Sequence, residues 1–261
     1  MIKENEFDTL VEKSRQFAYS SMNYLDFEDC ENAHVLQNDS QLILLLDESS
    51  TPPMLYFATD NFEKVVDEVA NIPGDLRLHF VPRAFARQLE ALGFVEWGEY
   101  FDFFNTDLPG TAALLGDIDA VEYLQPNECE AAAALSQRCR LQSRGFEGET
   151  AAWFASWLKE NPVIVVRQGA ALAGFCCVSI YNKGTALWIR EIAVDPAFQG
   201  LGFGKQLMAQ AIAYGAKHGA VKGFMHVDVL NKNAIGLYDK FGFRSQYKDG
   251  ELQMIRSEKK G

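Results

Sequence analysis

Between residues 189 and 204 the chain runs as a strand, breaks at Asp195-Pro196, and then carries glycine at every second position: Gly200, Gly202 and Gly204. An apolar helical stripe of Leu207, Met208, Ala211, Ile212 and Gly215 follows at once. A strand, a glycine turn and a helix in that order call for α/β layers. Glycine reaches dihedrals closed to other residues and lets the backbone approach a ligand closely. The free N–H groups of the new helix, reinforced by its dipole, favour an anion. The expectation is a phosphate-bearing ligand held by main chain and not by a metal.

Two common phosphate loops are excluded by spacing. Counting back from Gly204-Lys205, a Walker loop would need glycine at Gln199, and Gln206 stands where its Ser or Thr belongs. The dinucleotide pattern G-x-G-x-x-G fails because the third glycine arrives one residue early. What remains is Gln-x-x-Gly-x-Gly, read as Gln199-Gly200-Leu201-Gly202-Phe203-Gly204. It resembles the pyrophosphate loop of the GNAT acetyltransferases. Downstream, the stretch from Val227 to Phe243 resembles the family's second signature, a strand followed by Asn231-x-x-Ala234-x-x-Leu237-Tyr238-x-Lys240-x-Gly242-Phe243, in a sequence that also holds Asn233, Ile235 and Gly236. The resemblance covers roughly residues 118–256. It implies a mixed, twisted α/β sheet of GNAT type with helices on both faces, and it implies acetyl-CoA as cosubstrate.

Charge divides the chain unevenly. Residues 1–115 hold 7 Lys and Arg against 21 Asp and Glu, a net of −14, whereas the remainder holds 17 against 15, a net of +2. A duplex-binding protein needs a basic face, so nucleic acid is disfavoured as a partner. The acidic half either concentrates a cationic amine or serves solubility alone. No apolar run nears the about 20 residues that span a bilayer, and the start Met-Ile-Lys-Glu-Asn-Glu lacks the apolar core of a secretory signal. Cys30, Cys129, Cys139, Cys176 and Cys177 show no C-x-x-C spacing and read as reduced, mostly buried thiols of a cytoplasmic protein. Neither they nor the 4 histidines have metal-ligand spacing, so no metal is expected.

Along the chain, residues 8–24 have helical spacing and lead into an acidic patch at Asp26, Glu28, Asp29 and Glu31. Strands follow over 41–46 and 53–58, a helix from Asp60 to Ala70 with Glu63 in capping-box position, a strand over 77–81, a helix over 82–92 and two short strands over 94–104. Leu108-Pro109-Gly110 reads as a linker, dividing an acidic α/β domain at 1–110 from an acetyltransferase domain at 116–261. The second domain reads as helices over 126–142, capped by Asn127 with Glu130, and 150–159. A hairpin turning at Gln168-Gly169, a long strand to Val194, a strand at 223–229, a helix at 233–241 and a closing hairpin across Lys248-Asp249-Gly250 complete it. Leu89-Glu90-Ala91-Leu92-Gly93-Phe94 aligns with Tyr238-Asp239-Lys240-Phe241-Gly242-Phe243, and the preceding element order also matches. The first half is therefore expected to be a diverged, silent copy of the second, without a glycine loop and with Leu89 in place of Tyr238.

The glycine loop, with Gln199 to fix it and Lys205 to add charge, suits a pyrophosphate. The resemblance places the pantetheine arm along Ile192, Ala193 and Val194, where it pairs as a short pseudo-strand. That requires the strand to part from its neighbour, and a β-bulge is expected near Ala193. Tyr238 holds the family's general-acid position, to protonate the leaving thiolate; the alternative is a core tyrosine beside Ala234, Leu237 and Phe241. Glu191 is the candidate base, its alternative being a structural pairing with Arg190 or His226. Asn233 is both an N-cap and the family's usual cofactor contact, with Asn231 a weaker candidate. The acceptor end is expected between residues 141–149, with Arg140, Arg144, Glu147 and Glu149, and the hairpin near Lys248. Trp153, Trp157 and Trp188 either line a slot or fill the core.

The sequence thus points to an N-acetyltransferase acting by direct attack of a small-molecule or peptide amine, as a monomer or homodimer. The alternatives are a non-catalytic CoA-binding or sensing module with the acidic half as partner surface, and transfer of a longer acyl group.

Overall fold

The computed structural model describes residues 2–22, 25, 27, 30–116, 118, 121–144, 146–245 and 250–257. Two compact units emerge, one from 1–99 and 249–261, the other from 100–248. Their limits differ from the sequence division at 110–116, because strand pairing and not chain order sets them.

In chain order the elements are α1 (Glu4–Ser14), β1 (Tyr19–Ser20), β2 (His34–Asn38), β3 (Leu42–Asp47), β4 (Met54–Thr59), α2 (Glu63–Asn71), β5 (Leu76–Pro82), α3 (Ala86–Ala91), β6 (Val95–Asn105), α4 (Leu108–Leu115), β7 (Glu122–Tyr123), α5 (Cys129–Cys139), α6 (Ala151–Trp157), β8 (Val163–Gln168), β9 (Ala171–Tyr181), β10 (Ala186–Val194), α7 (Phe203–Lys217), β11 (Lys222–Asp228), α8 (Lys232–Lys240) and β12 (Glu251–Arg256).

In the first unit β2 pairs antiparallel with β3, β3 with β4, and β4 runs parallel to β5 across α2. β12 then joins β5 antiparallel. Side chains alternate across the sheet: Leu42 and Leu44 face one core with Phe62, Val65 and Leu89, whereas Ile43 and Leu45 face another with Phe7, Leu10 and Met22. β4 changes partner along its length. Met54 and Leu55 pair with β5, but Ala58 and Thr59 pair with β1. Ser21 continues that contact, its N–H donating to Phe57 O at 2.9 Å while its hydroxyl accepts the Phe57 N–H at 2.8 Å. Asp60 does not cap α2; its carboxylate takes the Ala18 N–H, and Asn61 Oδ1 takes the Glu63 N–H.

In the second unit β7, β8, β9 and β10 pair antiparallel in turn, β10 runs parallel to β11 across α7, and β6 joins β11 antiparallel. α4 and α7 cover one face of this sheet in a core holding Ile189, Leu207, Met225, Tyr238 and Phe243. α5 and α6 cover the other, with Phe154, Phe175, Cys177 and Ala193.

Each unit is completed by a strand from the other half of the chain: β6 enters the second and β12 the first. That exchange explains the unit limits, because ladder hydrogen bonds decide what is compact. It also replaces the expected closing hairpin: β12 pairs with β5, while Arg244 bridges Phe104. Residues 246–249 of that hairpin, with Lys248 and Asp249, lie outside the described residues, as do Tyr24, Asp26, Glu28 and Asp29 of the expected first helix and acidic patch.

Other expectations are corrected. The first helix stops at Ser14 because the chain turns there to form β1. The expected linker is the first turn of α4, where Asp107 accepts the Gly110 N–H at 3.0 Å and proline occupies the first turn, the position that tolerates it. Residues 95–105 form one strand instead of two. The capping box ahead of α5 is Gln125 with Glu128, two residues before the expected pair. α3 and α8 end alike: Phe94 N donates to Leu89 O and Phe243 N to Tyr238 O, both at 3.1 Å, around Gly93 at φ +87° and Gly242 at φ +75°.

Candidate active site

The site is made where β10 and β11 part. Their parallel pairing runs from Ala186 with Lys222 to Ile189 with Met225 and goes no further among the described residues, although β10 continues to Val194 and β11 to Asp228. The register of β10 on β9 shifts between Ile189 and Glu191. The bulge therefore lies at Arg190, not near Ala193 as expected. Past it, Asp195 N donates to Ala173 O at 2.9 Å. Antiparallel alternation then turns the main chain of Ala193 towards β9 and that of Ile192 and Val194 into the gap. Of the three expected cofactor residues, Ile192 turns its backbone and Val194 its N–H there, while Ala193 packs in the core beneath α5 and α6.

The turn after β10 is tied down at its start. Asp195 accepts the Ala197 N–H at 2.9 Å and the Arg138 guanidinium at 2.6 Å. Burial pushes this carboxyl up, but those donors hold it below the usual carboxylate range. Gln199 Nε2 donates to Val194 O at 3.1 Å, so the expected loop-fixing role of Gln199 has a defined geometry. Cys139 Sγ donates to the same carbonyl at 3.4 Å.

The three glycines serve different ends. Gly200 at φ +80° and Gly202 at φ +92° occupy the left-handed region, and a Cβ on either would meet none of the described residues within 4 Å. They are required by backbone shape, and Gly202 is the N-cap of α7. Gly204 is required by packing, since a Cβ there would stand 3.3 Å from Leu237 of α8. The first ladder bond of α7 is Gln206 N to Gly202 O at 3.1 Å, which leaves the N–H groups of Phe203, Gly204 and Lys205 outside it. Leu201 and Lys205 are exposed beside them.

Tyr238 is 6% exposed, its ring 6.4 Å from Phe103 in the α7-side core. Burial, with Cys176 nearby, pushes its phenol well above the ordinary value, so it carries its proton. Asn233 is exposed in the first turn of α8 but is not the cap; Asn231 is, accepting the Ala234 N–H at 3.1 Å.

Glu191 stands on the opposite face, under α5. Ser136 Oγ donates to its Oε1 at 3.0 Å, while Oε2 is buried without a hydrogen-bond partner among the described residues. Burial first, and the charge of Glu149 second, raise this carboxyl to about 8, against the opposing pull of Ser136 and Arg190. Arg190 acts on Glu191 through its charge but bonds Glu149 at 2.7 Å, and His226 Nδ1 lies 2.6 Å from Asp102. Arg190 also lies over the Trp153 ring at 4.3 Å. Trp153 stacks on Trp157 and Trp157 meets Trp188 edge-on, so these rings serve packing.

Sequence reading missed the group that positions the loop at Arg144. Asp228, 2% exposed at the end of β11, takes the main-chain N–H of Arg144 at 2.7 Å and its guanidinium at 2.9 Å. Tyr100 donates to Arg144 O and stacks on His226 at 5.3 Å. Only the strand-end position of Asp228 hinted at this. Arg140 and Glu147 take no part in these ties.

The Acetyltransferase (GNAT) family model matches residues 130–243. Over 115 residues the chain is 33% identical to an uncharacterized N-acetyltransferase of Methanocaldococcus jannaschii, spanning 41% of this chain and 51% of that one. A mycothiol acetyltransferase of Acidimicrobium ferrooxidans is 29% identical over 100 residues, 37% of this chain and 32% of its own. The chain thus spans about half or less of these curated relatives. Among solved structures, a GCN5-related N-acetyltransferase-like protein from Streptococcus suis matches with TM-score 0.55 at 15% identity, covering 93% of this chain and 98% of that one, a likeness of fold. No helix among the described residues is long and apolar enough to cross a membrane. Motif, parted strands and family match coincide: residues 130–243 are an acetyltransferase domain of the GNAT family.

Proposed function

We propose that the chain is an N-acetyltransferase that moves an acetyl group from acetyl-CoA to a primary amine by direct attack in a ternary complex. The observation that carries this reading is the parting of β10 from β11 beside a glycine turn that opens α7. The N–H groups of Gly202 to Lys205 would take the pyrophosphate. The backbone of Ile192 and Val194 would pair with the pantetheine amides, which aims the thioester into the gap. Glu191, from the α5 face, would draw the proton from the incoming ammonium. Tyr238, from the α8 face, would return one to the departing thiolate. The cysteines favour direct attack over an acyl-enzyme. Burial pushes the Cys139 thiol up to about 11 and holds Cys176 and Cys177 above their ordinary range, so thiolate is scarce.

The first unit reads as a second copy that takes no cofactor. Its strand order β2-β3-β4-β5-β12 repeats β8-β9-β10-β11-β6, with α2 in the place of α7 and α3 in that of α8. Its own gap, between β4 and β5, is filled by Tyr19 to Ser21. Asp60 and Glu63 sit where a phosphate would have to bind, and Leu89 replaces Tyr238. Five buried cysteines fit a reducing, cytoplasmic compartment. The acceptor is an amine on a small molecule or peptide; the mycothiol named for one relative belongs to that protein.

Titration calorimetry of the intact chain with acetyl-CoA, followed by thiol release across a panel of amines, tests the reading. No affinity for CoA would sink it. Affinity without transfer to any amine would leave the binding and sensing module.

A further inference from the structure

Ser136 lies at the junction of three elements. It is fully buried on α5, its hydroxyl donates to Glu191 Oε1 on β10 at 3.0 Å, and it accepts the main-chain N–H of Glu149 at 2.9 Å. The residue before Glu149 supports the same contact independently. Gly148 sits at φ +83°, and a Cβ there would meet Gln137 Cα at 3.0 Å and its Nε2 at 2.8 Å. This end of the loop is thus seated on α5, and only glycine allows so close an approach. Its other end is held by Asp228.

We propose that Ser136 is a positioning residue for the reaction: its hydroxyl orients the Glu191 carboxylate and joins it to the acceptor-side loop through the main chain of Glu149. The proposal rests on reading Glu191 as the base. A hydroxyl has one proton, and here the Glu149 N–H occupies the acceptor side, so the proton goes to Glu191. With Oε1 so engaged, Oε2 is the oxygen left to face the amine. The charged and titratable groups around Glu191 are Glu149 on the loop, Arg190 beside it on β10, Cys139 on α5 and Cys176 and Cys177 on β9. Of these only the thiols are neutral, and a thiol is a weak donor compared with a hydroxyl.

A hydrogen bond to the ionised carboxylate favours that form, so its loss must raise the pH at which Glu191 ionises. The test is the pH profile of kcat/KM for transfer from acetyl-CoA to the fastest amine of the panel. In Ser136→Ala the acid limb should move to higher pH by about one unit. In Ser136→Thr, which keeps the hydroxyl, it should return to the wild-type position. Should Ser136→Ala lose its circular dichroism spectrum, Ser136→Cys, a weak donor of similar size, replaces it and should shift the limb the same way. A limb that stays in place without the hydroxyl, or moves equally in Ser136→Thr, overturns the proposal. Glu191→Gln separates the two readings. If that variant keeps the limb, Glu191 is not the base and both readings fall. If it loses the limb while Ser136→Ala leaves it unmoved, Ser136 alone is excluded.

Discussion

Arg190 and Glu191 are consecutive on a strand, yet both reach the same α5–α6 layer: Arg190 to Glu149 and Trp153, Glu191 to Ser136. Regular pleating would send them to opposite faces. The register shift at Arg190 removes that alternation. It also inverts the facing of the residues beyond it, so that Ile189 before the shift and Ile192 after it both meet the α7-side core. One extra residue thus delivers the carboxylate to the α5–α6 layer and keeps apolar side chains on the other face.

Turnover should rise with pH through about 8, because the proposed base works only when ionised and its carboxyl is raised to that region. Glu191→Gln should lower kcat by about 10²–10⁴-fold and flatten that limb. The same shift affects stability in a defined direction. The folded carboxyl binds its proton more tightly than the unfolded one, so stability is lost as pH rises from its ordinary range to about 8. Above that, Glu191→Gln should melt higher than wild type, as scanning calorimetry at two pH values would reveal.

Tyr238→Phe should fold normally, since the ring packs with Phe103 and only a hydroxyl is lost. If the phenol supplies the thiolate's proton, kcat should fall by about 10²-fold or more with the KM for acetyl-CoA little changed. Unaltered turnover would return Tyr238 to the core.

Gly202→Val and Gly204→Val should fail differently. At φ +92°, Gly202 has open space but a backbone that a β-branched residue resists, so the cost is about 1–2 kcal/mol, and the reshaped turn should weaken CoA binding tenfold or more. Gly204→Val adds atoms against Leu237 and should chiefly lower the melting temperature. Calorimetric titration and thermal melts of the two variants separate these effects.

Calorimetry should find one CoA per chain. β1 already holds the edge of β4 that a pantetheine would need in the first unit, through Tyr19, Ser20 and Ser21. A stoichiometry of two would contradict the self-filled gap.

Much of the fold was legible because it is local. The turn glycines announce φ values that other side chains avoid, and both Gly-Phe helix ends could be aligned from sequence because the same hydrogen bonds recur at each. Helices were misplaced where a second signal competed. Leu108-Pro109-Gly110 looked like a linker although proline suits a first helical turn, and Asn231 took the cap expected of Asn233.

The sequence by itself determined a glycine turn between strand and helix, its partner motif around Tyr238, and thereby the likeness to the GNAT family that the family model bears out. Those are properties of φ, ψ and hydrogen bonds a few residues apart. The tertiary structure alone decided where β10 bulges, which strands complete each sheet, that Ser136 meets Glu191, and that the first unit fills its own gap with β1. Each of these depends on pairing between segments tens of residues apart, where register is chosen by which side chains can be buried together and leaves no periodic mark on the chain.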